Sequence, residues 1–195
     1  MLPIAVALAA ITAAASTADA RPRPSHAARK RFESNKGFGL GLELGFPSGI
    51  TGKYWLGDST DRALDFGIGY TYDYAFNGDR FEGIYLYADY LFHLLSLAST
   101  DSFELPFYIG VGPQFWSWTD YNFACPGPGP TYCGGSALGV RVPIGIAFDL
   151  NNVPLDIFLQ FVPNVDLFFG YNNVYNRGSF ELFLNGSVGI RYYFN

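Results

Sequence analysis

The chain carries few residues that could do chemistry: two histidines, His26 and His93, and two cysteines, Cys125 and Cys133, among 17 acidic and 12 basic side chains in 195 residues. Acyl transfer or hydrolysis needs a histidine beside a nucleophile or an acid. His26 falls in a basic stretch, and His93 is placed at the inner end of a strand, so neither supplies that arrangement. The cysteines close Cys125-Pro126-Gly127-Pro128-Gly129-Pro130-Thr131-Tyr132-Cys133. A metal site would want more ligands and a redox site tighter spacing, so in an exported chain the pair reads as a disulfide tying a small surface loop. Acids such as Asp65 and Asp89 could serve acid–base work or bind a metal, but they read more simply as partners for buried cations. The Gly-rich run Gly37-Phe38-Gly39-Leu40-Gly41 leads into no helix and is not a phosphate loop. The chain is thus expected to be no enzyme, with no catalytic residue, metal or cofactor, and nothing points to nucleic acid.

The elements that must position these residues are strands. From Ser179 to Asn195 large apolar side chains alternate with small, polar or charged ones, and the apolar face runs for the length of a membrane-crossing strand. Period-two reading between turn signals gives eight such segments: 37–46, 50–56, 63–75, 83–93, 105–118, 137–150, 155–168 and 179–194. The fold class expected is all-β, an eight-stranded antiparallel up-and-down transmembrane β-barrel. Closure is needed because hydrocarbon offers no partner to an unpaired backbone group. The connections at 47–49, 76–82, 119–136 and 169–178 would be the outer loops, and those at 57–62, 94–104 and 151–154 the inner turns.

Parity then sorts the side chains. Glu43, Lys53, Asp65, Asp89, Arg141, Asp156, Glu181 and Arg191 fall on one face with Tyr85, Tyr87, Tyr108, Gln114, Asp149, Gln160 and Asn185. The other face carries Leu64, Phe66, Ile68, Val140, Ile144, Ile157, Leu159, Leu182, Leu184 and Ile190. The first group is expected to form an ion network that plugs the lumen, because eight strands enclose only enough space for side chains. A three-residue turn at Pro47-Ser48-Gly49 would set Glu43 opposite Lys53. Pro113, Pro143 and Pro163 interrupt three segments and mark bulges or breaks.

The first 20 residues are apolar and end in Ala18-Asp19-Ala20, which reads as a cleaved secretory signal. Residues 21–36 hold six of the 12 basic side chains, leaving six against 15 acids from Gly37 onward. This is a basic periplasmic linker before a barrel spanning 37–195. The location expected is the outer membrane of a diderm bacterium.

Lys36–Gly45, Gly52–Leu56, Ala63–Gly69 and, most specifically, Arg141–Phe148 with Asn152–Asp156 resemble a family of small bacterial outer-membrane β-barrel proteins of unknown function, similar in fold to OmpX and the OmpA transmembrane domain. The resemblance implies a monomeric surface barrel and no reaction. Tyr192-Tyr193-Phe194 resembles the C-terminal signal read by the barrel-insertion machinery, although Asn195 follows it. The partners implied are outer-membrane lipid, that machinery, and a possible surface ligand at the loop 119–136. The role expected is structural or surface recognition. The alternative is a narrow channel or transporter for small or hydrophobic solutes, and a lipid-modifying enzyme is the remaining rival.

Overall fold

The computed structural model describes Ser34 and residues 36–57, 61–74, 80–120, 133–170 and 180–194. The expected signal at 1–20 and Cys125 lie outside the described residues, as does the 21–36 linker except for Ser34 and Lys36. The strands are β1 Phe38–Gly45, β2 Ser48–Trp55, β3 Arg62–Tyr74, β4 Arg80–Ser99, β5 Phe103–Asp120, β6 Cys133–Arg141, β7 Ile144–Leu150, β8 Leu155–Gly170 and β9 Phe180–Phe194. Every pairing is antiparallel. β9 pairs with both β1 and β8, and β4 pairs with both β3 and β5, so the hydrogen bonding returns on itself as a ring.

Among the described residues there are nine strands, not the eight expected, because the segment 137–150 is divided at Val142-Pro143. Proline has no N–H for the ladder and restricts the residue before it, so the regular ladder thins there to Val142 N–H donating to the Pro163 carbonyl at 2.9 Å and Gly110 N–H donating to the Pro143 carbonyl at 2.8 Å. The break is local. Gly112 faces Arg141 and Ile109 faces Ile144, while on the other side Asn164 faces Arg141 and Phe161 faces Ile144. The register is therefore continuous across the gap, and β6 and β7 lie end to end between β5 and β8. Pro113 and Pro163 stay inside β5 and β8, outward-facing, without breaking them.

A second correction concerns β4, which runs to Ser99 rather than ending at His93. Register shifts between His93 and Leu95 and between Ser96 and Ser99 carry it through a stretch without clean alternation. The inner connection then shrinks to Thr100–Ser102, tied by Phe103 N–H donating to Thr100 Oγ1 at 3.1 Å.

The first hairpin differs in register. Glu43 faces Gly49 and Gly39 faces Lys53, so the expected Glu43–Lys53 pair does not form. The turn is longer than three residues, with Gly45 N–H donating to Ser48 Oγ at 3.0 Å. A slip of an even number of residues leaves every side chain on its own face.

The distribution of polarity is the reverse of a water-soluble core. The buried set includes seven carboxylates (Glu43, Asp65, Asp89, Glu104, Asp149, Asp156, Asp166) and four cations (Lys36, Lys53, Arg141, Arg191). Leu, Ile, Val and Phe on the opposite parity are exposed along every strand from β1 to β9. Of the charged side chains described within strands, only Arg62 and Glu82 face outward, both near strand ends. Aromatic rings fill the interior on either side of the charges, with Trp55, Tyr108, Phe158 and Tyr193 in one cluster and Tyr85, Tyr87, Trp116, Trp118 and Phe168 in another. Glycine makes room for them: a Cβ on Gly67 would lie 2.5 Å from Cε1 of the Tyr87 ring.

Candidate functional site: the charged interior

The interior is best followed from the end of the ring where β1 begins. Lys36, just before β1, turns its ammonium into the mouth, where it donates to the Asp149 carboxylate and to the carbonyls of Leu150 and Leu155 at 3.1 and 2.9 Å. Next comes Lys53 on β2, whose Nζ lies 2.9 Å from His93 Nε2 and 4.2 Å from the Trp55 ring centroid. His93 is thus fully inside the ring and not at its rim, which corrects its expected place at a strand end. An ammonium can only donate, so Nε2 accepts. Nδ1 then carries the proton and donates to the Asp61 carbonyl at 3.3 Å.

Arg191 on β9 is the hub. Its Nη2 donates to Asp65 Oδ1 and Oδ2 at 2.8 and 2.9 Å, its Nε and Nη2 reach Thr51 Oγ1 at 3.3 and 3.1 Å, and its Nη1 lies 3.9 Å from Asp156 Oδ2. Asp156 in turn accepts from Tyr193 Oη at 2.6 Å. Thr51 Oγ1 is 3.1 Å from Tyr87 Oη, which donates to Glu43 Oε2 at 2.5 Å. One connected network therefore joins β1, β2, β3, β4, β8 and β9. Its bonds are made in a water-poor interior, where each is stronger than in solvent and an unmade one is costly.

Arg141 on β6 forms a second centre, with Nε 3.1 Å from Asp89 Oδ2 and its guanidinium 3.9 Å from the Tyr87 ring centroid. Further out, Gln114 accepts from Tyr85 Oη and donates to Asp166 Oδ1 at 2.6 Å. Each of the four buried cations lies over a ring: Lys36 by Tyr193, Lys53 by Trp55, Arg141 by Tyr87 and Arg191 by Phe158. Aromatic faces supply part of the attraction that water would have given these ions.

The expected network residues therefore sit as follows. Arg191 gathers Asp65 and Asp156, Arg141 takes Asp89, Glu43 is held by Tyr87, and Lys53 binds His93. Glu181 stands apart, half-buried on β9 opposite Asp166. Tyr193 points inward and is fully buried, whereas Tyr192 and Phe194 face outward. Sequence reading missed Lys36, Thr51 and Asp166. Thr51 shares the parity of Lys53, and Asp166 that of Asp156, a signal that could have found them, but Lys36 was hidden within a run of cations. Cys133 opens β6, and its expected partner Cys125 is outside the described residues.

The arrangement can hold a set of strands in one register. No group of three or more His, Cys, Asp or Glu among the described residues could hold a metal ion. No family model, curated protein or solved structure matches the chain.

Proposed function

We propose that the chain is an outer-membrane protein, an eight-stranded transmembrane β-barrel with a filled lumen that serves a structural or surface-recognition role. The observation that carries this reading is the inverted polarity: apolar side chains are exposed around the whole ring while its ions are enclosed. An Arg or Lys on a lipid face at mid-bilayer costs about 2–4 kcal/mol, so insertion favours this sorting. Counting β6 and β7 as one strand position gives eight. Stepping across paired residues from Ile190 through Leu42, Ile50, Ile68, Leu86, Phe115, Leu138 and Leu167 returns to β9 at Phe180, a stagger of ten residues. A stagger of ten over eight positions tilts the strands by about 43°, within the range of closed barrels.

Refolding into vesicles tests the proposal. The protein should co-float with lipid and run faster on gels unheated than boiled. Recovery as a compact, water-soluble monomer without detergent overturns it. A second reading, a narrow cation path, is favoured by the excess of buried carboxylates over buried cations. Stable single-channel openings in planar bilayers would establish it in place of the filled lumen.

A further inference from the structure

The exposed apolar belt is not uniform. Two neighbouring rows of outward side chains cross β2 to β6 at the height of the Arg191 hub, since Gly52 lies between Thr51 and Lys53 and Phe66 follows Asp65. One row is bulky throughout, pairing Ile50 with Ile68, Ile68 with Leu86, Leu86 with Phe115 and Phe115 with Leu138. The next row is bare. Gly52 and Ala88 face Phe66 from either side, and Pro113 follows on β5.

Side-chain size turns that second row into a trough. Ala88 and Pro113 are exposed, and a Cβ on Gly52 would lie 2.6 Å from Cε2 of the Phe66 ring, so the ring takes the place that a side chain would fill there. The resulting groove offers about 480 Å³, with both rows in its lining and no charged side chain. Clefts of about 300–1,000 Å³ are the size that holds small molecules. Arg62 and Glu82, the outward charges within the described strands, do not line it.

Shape decides the occupant. Successive outward positions on a strand are about 6.8 Å apart, so one row cut back to backbone and small groups is too narrow for a helix about 10–12 Å across. A second copy fits no better in a two-fold dimer, because that contact sets the same patch against itself and two hollows cannot fill one another. A single hydrocarbon chain fits. It brings no polar group that the lining would leave unpaired.

We infer that the trough over Ala88 and Pro113 seats one unbranched acyl chain of a surrounding membrane lipid, laid against the ridge of Leu86 and Phe115. The headgroup contributes nothing, because no charged side chain lines the groove to pair with it. Selection is by width, and one methylene too many or too few in an apolar site changes binding by about 10–200-fold. Methyl branches along the chain should therefore weaken it. This rests on the transmembrane-barrel reading, which is what turns the trough toward hydrocarbon.

The full chain, refolded into vesicles of dimyristoyl and diphytanoyl phosphatidylcholine in equal amounts, is released for native mass spectrometry and its retained lipid is weighed. One unbranched lipid should stay bound, at least about tenfold in excess of the branched one. Ala88→Leu, which fills the trough, should lower that retention by about tenfold. Leu184→Ala, on the exposed belt outside the trough, should leave it unchanged, as should phosphatidylglycerol with the same chains. Equal retention of both chains, undiminished retention by Ala88→Leu, a preference set by the headgroup, or the mass of a dimer overturns the site. The comparison of chains on the unaltered protein stands even if a variant misfolds. Loss of the chain preference with heat-modifiable mobility intact counts against the trough alone, whereas loss of that mobility in the unaltered chain counts against the barrel.

Discussion

Arg191 and Asp65, 126 residues apart in sequence, meet through a single nitrogen that donates to both carboxylate oxygens, and both side chains are fully buried. The contact crosses the ring from β9 to β3, two strands with no ladder between them. Removing one partner leaves the other charge enclosed without compensation. Asp65→Asn should therefore destabilise the fold by about 3–5 kcal/mol in a urea titration of vesicle-embedded protein. Pairing it with Arg191→Met should recover part of that loss. A double variant as unstable as the sum of the singles would show that the two side chains do not act together.

The two faces should tolerate charge very differently. Leu159 is exposed on the outer face, whereas Asn185 is half-buried on the inner one. Leu159→Arg should lower the folded fraction in vesicles by the equivalent of about 2–4 kcal/mol, and Asn185→Arg should leave it nearly unchanged. Equal tolerance would contradict the assignment of faces.

Gly67 underlies the Tyr87 ring, where even a methyl group would collide. Gly67→Ala should displace the ring, loosen the 2.5 Å bond from Tyr87 to Glu43, and destabilise the protein by about 1–3 kcal/mol. Tyr87→Phe in the same background should then cost less than it does alone, which denaturant midpoints would reveal.

His93 should be found as the Nδ1–H tautomer, since Lys53 occupies Nε2. Nitrogen shifts of ring-labelled protein in micelles check this directly. Lys53→Met should release the constraint and change the emission of Trp55, whose ring lies 4.3 Å from that of His93.

What could be read from the chain was fixed by parity. Alternation put Glu43, Asp65, Arg141 and Arg191 on one face because a side chain in a strand has only two directions to choose from. Height along the strand carries no such signature, so parity could not say that Arg191 would take Asp65 while Arg141 took Asp89. The Glu43–Lys53 pairing failed for the same reason. It depended on turn length, and Phe46-Pro47-Ser48 allows more than one. The end of β4 was obscured where Leu94 and Leu95 interrupt the alternation. Val142-Pro143 announced a disturbance, but only the partners of Arg141 and Ile144 showed that it shifts nothing.

A hydrogen-bonded circuit has no loose end at which a pairing error could be dissipated. If one strand slid by two residues against its neighbour, a compensating slide would have to appear elsewhere before β9 could meet β1 again. The proline gap between Arg141 and Ile144 is therefore harmless for a topological reason: the strands flanking it on both sides are already locked by the rest of the loop.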